Sequence, residues 1–320
     1  MSEGLRVLLK IYKSNRAEWL ADILSEELRL HPPTPFETVD VLVNTWPTSR
    51  WLNEKLAAKN GITALVDFPF PSAYLKKLAR SILGYGENNK DHWKAKSLIW
   101  EILELLPEIL QDKKASLLRQ WLEKYNSNSD LLTKTKWNLA KRIADAFEDY
   151  SIYRGEILEE WSKISSHNDK KKEEAEDPYE WQCLLTKILV KTINEEPFSW
   201  LADKAIKKLK DNSHSHERLP NKIYIFGIST LAPSQIKLIK AISGLIDVTI
   251  FLITPCPELW QRLKTKRDEV ESKLANRSEK EVSWQLTGLD SNLGRMGGEF
   301  QQLLEGIGED QLGEIQENNL

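Results

Sequence analysis

Short apolar segments with β character alternate with helical segments in two parts of this sequence, and this alternation restricts the fold more than any other feature. The first group of predicted strands is Leu5–Tyr12, Val39–Val43 and Ile62–Phe68, and the second is Lys222–Ile228 and Asp247–Ile253. Strands joined through helices usually pair in parallel, because the helix returns the chain to the same edge of the sheet. The sequence therefore predicts an α/β protein with a parallel sheet.

The region between the two groups of strands has a different periodicity. From about His92 to Lys210, apolar residues recur at helical spacing, which predicts a large all-helical insertion. Trp100, Trp137 and Trp181 are in phase with these apolar faces and are predicted to lie in the core. The charged stretch Ser165–Pro178 has no apolar anchors and is predicted to be a mobile loop.

These patterns divide the sequence into four predicted regions. Residues 1–90 are predicted to be the first part of the α/β domain, and residues 91–215 a helical subdomain. Residues 216–260 return to the sheet. Residues 261–320 form a charged, poorly patterned tail that we expect to lead to further domains.

The first strand-to-helix turn lacks the residues that a nucleotide-binding loop needs. It reads Lys-Ser-Asn-Arg at positions 13–16, without a glycine, and Ser14 or Asn15 is predicted to cap the following helix. The strand that ends at Ile228 offers no carboxylate for magnesium. We therefore predict no nucleotide cofactor and no catalytic residue.

Other common site chemistries also lack candidates. The five histidines fall in predicted loops or at helix starts, and Cys183 and Cys256 are far apart, which predicts buried, reduced thiols and no metal site. No apolar segment is long enough to span a membrane, so we expect a cytoplasmic protein. The 45 basic and 48 acidic residues nearly cancel, and any DNA contact must come from a local surface.

Aromatic residues are the feature that points to a ligand. The sequence contains 12 Trp, and Trp46 lies in a predicted strand-to-helix loop beside Pro47, with Arg50 close by. The loop follows the carboxyl end of a parallel strand, where α/β sheets bind their ligands. Exposed aromatics beside basic residues stack the bases of single-stranded nucleic acids. For Trp46 and Arg50, ligand contact and simple loop packing are both open.

Several segments, in their order and spacing, resemble the N-terminal part of the RecC family. They are LRVLLKIYKSNRAEWLADIL, GITALVDFPFPSAYL, ADAFEDYSIYRGEILEEW, IYIFGISTLAPSQIKLIKAI, VTIFLITPCPELW and SNLGRMGGEFQQLL. The resemblance implies a superfamily-one helicase-like fold, similar to P-loop NTPases but inactive. Where an active helicase carries Asp-Glu-x-Gln-Asp before Pro-x-Gln, this chain has residues 226–230, FGIST, before Pro233 and Gln235.

The resemblance also implies a function and partners. The chain would be a non-catalytic DNA-binding subunit of exodeoxyribonuclease V, acting in DNA recombination and double-strand break repair. Its partners would be single-stranded and duplex-end DNA, the helicase-nuclease subunit RecB and the helicase subunit RecD.

Some members of the family scan the emerging strand for a recombination hotspot called Chi. This chain departs from their better-known loop pattern, since it reads Asn-Thr-Trp-Pro-Thr where a Gln-Ser-Thr-Gly-Met type is familiar. The positions that correspond to the family's Chi-contacting places, and so the DNA-binding residues that the resemblance implies, are Asn44, Trp46, Arg50, Phe70, Asp145 and Glu148.

Two other readings of the sequence lead to different expectations. A divergent ATPase or nuclease with unrecognised motifs would bind nucleotide. An α/β interaction scaffold without a DNA role would bury or pair Trp46, Arg50 and Phe70 inside the fold, whereas a DNA-binding subunit would expose them.

Overall fold

The computed structural model describes most of the chain up to Thr254. The described residues are 8–35, 37–86, 90–125, 134–163, 179–211, 219–254 and 314–319, with Gly297, Phe300 and Leu304. The predicted loop Ser165–Pro178, Cys256 and most of the predicted tail lie outside the described residues. The chain divides into two compact units, one formed by Met1–Tyr85 with Ala205–Leu320 and the other by Gly86–Lys204.

The first unit contains a six-stranded sheet in the order β3-β2-β4-β5-β1-β6. Every pair of neighbouring strands is parallel, which confirms the predicted α/β class with a parallel sheet. The strands are β1 (Leu8–Ser14), β2 (Val39–Leu42), β3 (Val66–Asp67), β4 (Lys222–Phe226), β5 (Asp247–Ile253) and β6 (Glu314–Asn319).

Four helices of this unit cover the sheet: α1 (Ala17–Leu30), α2 (Trp46–Asn60), α3 (Pro71–Leu83) and α10 (Pro233–Ser243). Helices α1 and α2 pack together over one face, where Phe226 and Phe251 are buried with Leu24 and Leu52. Because neighbouring residues in a strand alternate between faces, the buried Ile225 belongs to the opposite face. Helices α3 and α10 contact each other, and right-handed crossovers place them there.

Two strands differ from the prediction for identifiable reasons. Strand β3 is shorter than the predicted Ile62–Phe68, since Gly61 and Leu65 have positive φ angles of 81° and 59°, outside the β region. Strand β6 lies in the range predicted to be a poorly patterned tail, yet its backbone pairs with β1. Its sequence, EIQENN, has too little apolar character for periodicity to reveal a strand.

The second unit is helical, as the apolar periodicity indicates. Its helices are α4 (Ala95–Ile109), a short 3-10 helix (Lys113–Ala115), α5 (Ser116–Tyr125), α6 (Lys134–Tyr153), α7 (Gly155–Lys163), α8 (Glu180–Thr192) and the start of α9 (Phe198–Lys210). They bury a common core that includes Trp93, Ile102, Phe147 and Leu189.

The core of this unit excludes one of the tryptophans that the sequence assigned to it. Trp100 is exposed, and the prediction for it is wrong. It lies on the side of α4 away from Leu98, Ile102 and Leu106. Apolar periodicity assigns a wide arc of the helix to the buried side, and tertiary packing covers only part of that arc. Trp137 and Trp181 are half-buried. Cys183, predicted to be buried, is also half-buried.

Candidate nucleic-acid interface

The carboxyl ends of β2 and β4 lie side by side in the sheet. The connection after β2 runs through α2 to β3 on one side, and the connection after β4 runs through α10 to β5 on the other. Connections that leave neighbouring strands in opposite directions open a crevice at the carboxyl edge, which is where open α/β sheets bind ligands. The residues that follow β2, β3 and β4 therefore form the candidate site.

Trp46 lies in this crevice region at the start of α2. The sequence predicted a loop position, but Trp46 is the first residue of the helix. The helix begins early because the hydroxyl of Thr45 accepts a hydrogen bond from the backbone N–H of Thr48, at 3.2 Å, and because Pro47 suits the first helical turn. The Trp46 side chain is 71% exposed, so the helix does not bury it.

Phe70, which directly precedes α3, contacts Trp46. The ring centroids are 5.1 Å apart at 88°, an edge-to-face pair. A backbone hydrogen bond of 3.2 Å from the N–H of Val43 to the carbonyl oxygen of Pro69 holds the segments after β2 and β3 together. Phe70 is half-buried, and it supports an indole that projects into solvent.

Asn44 and Arg50 flank this aromatic pair and are both exposed. Arg50 follows Trp46 by four residues, so the two side chains lie on the same face of α2. Its Nε donates to Glu54 at 3.1 Å, and both side chains are largely exposed. An ion pair of this kind contributes little, and Arg50 can exchange its partner for a phosphate. We call Asn44, Trp46, Arg50 and Phe70 the edge surface.

The electrostatics near the edge surface favour an anion. Helices α2, α3 and α10 begin at this edge, and none has an acidic residue in its first turn. No carboxylate within these first turns offsets the partial positive charges of the N-termini, and the nearest acid in sequence to the start of α3 is the exposed Asp67 at the end of β3. The side-chain amide of Gln235 links two of these termini, since its Nε2 donates to the Ser72 hydroxyl at 3.2 Å. Its Oε1 accepts from the backbone N–H of Ala232 at 2.9 Å.

Asp40 and Tyr74 fix α3 to β2 beneath the edge surface. The Tyr74 hydroxyl donates to the Asp40 carboxylate at 2.8 Å. Burial raises the pKa of Asp40, and the hydrogen bond from Tyr74 opposes that shift. Burial, followed by the neighbouring Asp40 charge, raises the pKa of Tyr74, which therefore stays a donor.

The other two predicted site residues, Asp145 and Glu148, belong to α6 in the second unit. Asp145 is exposed and half a helical turn from the buried Phe147. Glu148 is half-buried, and its Oε2 accepts a hydrogen bond of 2.7 Å from the backbone N–H of Ala95, the first residue of α4. Glu148 thus satisfies one of the free N–H groups at the start of a neighbouring helix.

The ends of β4 and β1 differ in the residues that they place at the carboxyl edge. Strand β4 ends at Phe226, which is buried, and Ile228 two residues later is buried too. At the end of β1, the hydroxyl of Ser14 accepts from the backbone N–H of Arg16 at 3.2 Å. Arg16 itself is the N-cap residue, so the prediction that Ser14 or Asn15 caps α1 is wrong by one or two positions.

Sequence reasoning missed a second aromatic and basic pair at the same edge. At the carboxyl end of β1, the guanidinium of Arg16 lies 4.6 Å from the centre of the Trp19 ring, and Trp19 is 44% exposed. The sequence pattern that could have revealed this pair is an Arg and a Trp three residues apart directly after a predicted strand. That spacing places both side chains on one side of the first helical turn.

The fold and the site together define an α/β protein with a parallel sheet, a helical unit inserted between β3 and β4, and an aromatic, basic surface at the carboxyl edge. This arrangement is consistent with a helicase-like fold. A family model described as the N-terminal domain of RecC matches residues 9–320. The chain therefore belongs to the RecC family.

Curated relatives agree with this assignment, and each is called RecBCD enzyme subunit RecC. The Escherichia coli K12 protein is 29% identical over 267 residues, covering 80% of this chain and 22% of its own length. The Haemophilus influenzae protein is 28% identical over 270 residues, covering 78% and 24%. The Mycolicibacterium smegmatis protein is 26% identical over 298 residues, covering 92% and 25%.

The chain thus spans about a quarter of the length of the curated relatives that it matches. Among the helices that the structure describes, none is long and apolar enough to cross a membrane.

Proposed function

We propose that this chain is a non-catalytic DNA-binding part of a RecBCD-type exodeoxyribonuclease V, and that its edge surface holds single-stranded DNA. The observation that carries the proposal is the exposed indole of Trp46, supported edge-on by Phe70 at the carboxyl edge of the sheet. A rigidly held, solvent-exposed indole presents a flat face on which any base can stack.

The neighbouring groups supply contacts to the rest of a nucleotide. Arg50, one helical turn from Trp46, and the N-termini of α2, α3 and α10 attract phosphates. The exposed amide of Asn44 can donate to and accept from a base edge, which is the chemistry needed to read a sequence such as Chi. Arg16 and Trp19 offer a second stacking position on the same edge.

The proposal assigns catalysis and unwinding to other subunits. In support, the ends of β1 and β4 carry neither a glycine-rich phosphate loop nor a carboxylate for magnesium. By family membership, we infer assembly with RecB and RecD subunits, duplex-end DNA as the substrate of the whole complex, a role in recombination and double-strand break repair, and a cytoplasmic location.

Both other readings of the sequence are less well supported. An interaction scaffold would bury or pair Trp46, Arg50 and Phe70. Phe70 is half-buried against Trp46 and Arg50 pairs with Glu54, but Arg50 and the indole of Trp46 are exposed. A divergent ATPase would place polar or acidic groups at the end of β4, where Phe226 and Ile228 are buried.

The test is a fluorescence-anisotropy titration of labelled oligothymidylate at low and moderate salt. Trp46→Ala is expected to weaken binding by about 1–3 kcal/mol, or roughly 5-fold to 150-fold, because one stacked base loses its aromatic partner. Trp46→Phe keeps a stackable ring and should retain most of the affinity. ATP, titrated in parallel, is expected not to bind.

Tyr85→Ala is the matched control. Tyr85 is an exposed aromatic residue whose ring lies beneath the guanidinium of Arg80. It follows the C-terminal end of α3 and so lies toward the opposite edge of the sheet. Its removal should leave DNA affinity unchanged. Equal losses for Trp46→Ala and Tyr85→Ala, or no binding of oligothymidylate by the unaltered chain, would refute the edge-surface proposal. Tight ATP binding would refute the non-catalytic assignment.

A further inference from the structure

A second exposed aromatic pair lies on the helical unit. Trp100, on α4, is 62% exposed and meets Trp137, on α6, edge to face with ring centroids 5.4 Å apart at 67°. Contact with Trp137 orients the Trp100 ring but leaves most of it in water. An edge-to-face pair contributes only about 0.5–1.5 kcal/mol beyond area burial, so packing alone does not account for an exposed indole at this position.

Three lysines flank the two indoles at helical spacing. Lys96 precedes Trp100 by four residues, and Lys134 and Lys141 lie three residues before and four after Trp137. All three are exposed, and within the described ranges none of them forms an ion pair. Residues three or four apart on a helix lie on the same face.

The local charge favours an anionic occupant. Residues 134–142 of α6 contain four cations and no carboxylate. On α4, Glu104 follows Trp100 by four residues and partly offsets this charge, and on α6 the next carboxylate is Asp145. The net charge of the residues around the two rings therefore remains positive. We call Trp100, Trp137, Lys96, Lys134 and Lys141 the helical surface.

The composition of the helical surface distinguishes nucleic acid from protein as its occupant. Protein interfaces are enriched in aromatics and Arg but depleted in Lys. Proteins that hold single strands combine unpaired cations, which track the phosphates, with aromatic rings on which successive bases stack. The helical surface combines exposed lysines with aromatic rings, as single-strand-binding proteins do, and it has no Arg at its centre.

We propose that the helical surface is a second contact for single-stranded nucleic acid, in which a base stacks on Trp100 while Lys96, Lys134 and Lys141 bind phosphates. This inference rests on the proposed function, because it adds to the edge surface a second single-strand contact, built from aromatic and basic residues of the helical unit. It assigns a role to two tryptophans that helical periodicity placed in the core.

The experiment uses the full chain and oligothymidylate of about 20 nucleotides, long enough for more than one contact region. Trp100→Ala is expected to weaken binding roughly 5-fold to 150-fold, from the loss of one stacked base. Trp100→Phe should restore most of that affinity. Circular dichroism of each variant should match that of the unaltered chain, since Trp100 is outside the core.

Charge provides a second readout. Lys141→Gln should reduce the slope of log affinity against log salt by about 0.7, the value for one phosphate contact on a single strand. Lys113→Gln, which removes an exposed cation of the same unit from the short 3-10 helix, should leave the slope unchanged.

The outcomes separate this inference from the proposed function. If Trp46→Ala weakens binding and Trp100→Ala does not, the helical surface is not a DNA contact, and the edge-surface proposal stands. If Trp100→Ala leaves DNA affinity intact but prevents assembly with a partner subunit, the surface binds protein and the inference fails. If the unaltered chain does not bind oligothymidylate, both proposals fail.

Discussion

At the scale of single residues, Glu148 combines a predicted role with an observed one. Its Oε2 accepts the backbone N–H of Ala95 at 2.7 Å and so caps α4 from a neighbouring helix. A carboxylate in this position satisfies a free donor and is also stabilised by the positive end of the helix. The resemblance to the RecC family assigns Glu148, with Asp145, to DNA contact, and that assignment stays a prediction.

Replacement of Glu148 is expected to lower stability. Glu148→Ala should reduce the free energy of unfolding by about 0.5–2 kcal/mol, the usual cost of losing a helix cap, and urea denaturation would measure it. Glu148→Gln retains an acceptor and should lose less.

Asp145→Ala makes the same charge change on the same helix at an exposed position, and should alter stability by less than about 0.5 kcal/mol. Equal stability of Glu148→Ala and Asp145→Ala would contradict the capping role. A loss of DNA affinity in Asp145→Ala without a loss of stability would support the DNA-contact prediction for this helix.

At the scale of elements, the Tyr74–Asp40 hydrogen bond joins α3 to β2 under the edge surface. Burial raises the pKa of Asp40 in the folded protein, so the charged carboxylate is disfavoured in the folded state. The contribution of Asp40 to the free energy of unfolding is therefore most favourable at low pH and is lost as pH rises through the folded pKa. The hydrogen bond from Tyr74 reduces that loss because it stabilises the carboxylate.

Tyr74→Phe is expected to lower the free energy of unfolding by about 1–3 kcal/mol at neutral pH, since it removes a hydrogen bond to a charged group that is half-buried. The loss should shrink as pH falls toward the pKa of Asp40, because the protonated carboxyl needs the donor less. Urea denaturation at about pH 7 and about pH 5 measures the difference.

Asp40→Asn provides the control for this pair. In that background the carboxylate is absent, and the cost of Tyr74→Phe should be smaller and independent of pH. A pH-independent cost in the presence of Asp40 would show that the hydrogen bond does not act on the carboxylate.

At the scale of the whole molecule, the chain separates into an α/β unit and a helical unit with its own core. The buried residues of Gly86–Lys204 include Trp93, whose indole N–H donates to the carbonyl oxygen of Glu195 at 2.7 Å. A unit that buries its own apolar core satisfies the basic requirement for independent folding. We propose that the predicted helical subdomain folds as such a unit.

Residues 86–204, expressed alone, are expected to show helical circular dichroism and cooperative unfolding in urea. Ile102→Ala, at a fully buried position of α4, should destabilise this fragment by about 2–5 kcal/mol because it leaves a cavity. Non-cooperative unfolding of the fragment, or indifference to Ile102→Ala, would show that the helical unit depends on the remainder of the chain.

The local elements and the fold class follow from the amino-acid sequence alone. Strands β2, β4 and β5 fall within a few residues of their predicted ranges, since apolar periodicity is a property of contiguous residues. The same local reading made Trp46 and Arg50 candidate ligand contacts, because they follow the carboxyl end of a parallel strand, where α/β sheets bind their ligands. The absence of a phosphate loop at positions 13–16 was equally a local property.

Which residues contact one another, and which remain exposed to water, depends on tertiary packing. Ile102 and Trp100 both lie on α4, yet Ile102 is buried and Trp100 is exposed, because the core covers one side of that helix only. Trp46 meets Phe70, and β6 pairs with β1, across separations that carry no periodic signal. Such contacts depend on the free energy of packing distant segments together, which no window of local sequence contains.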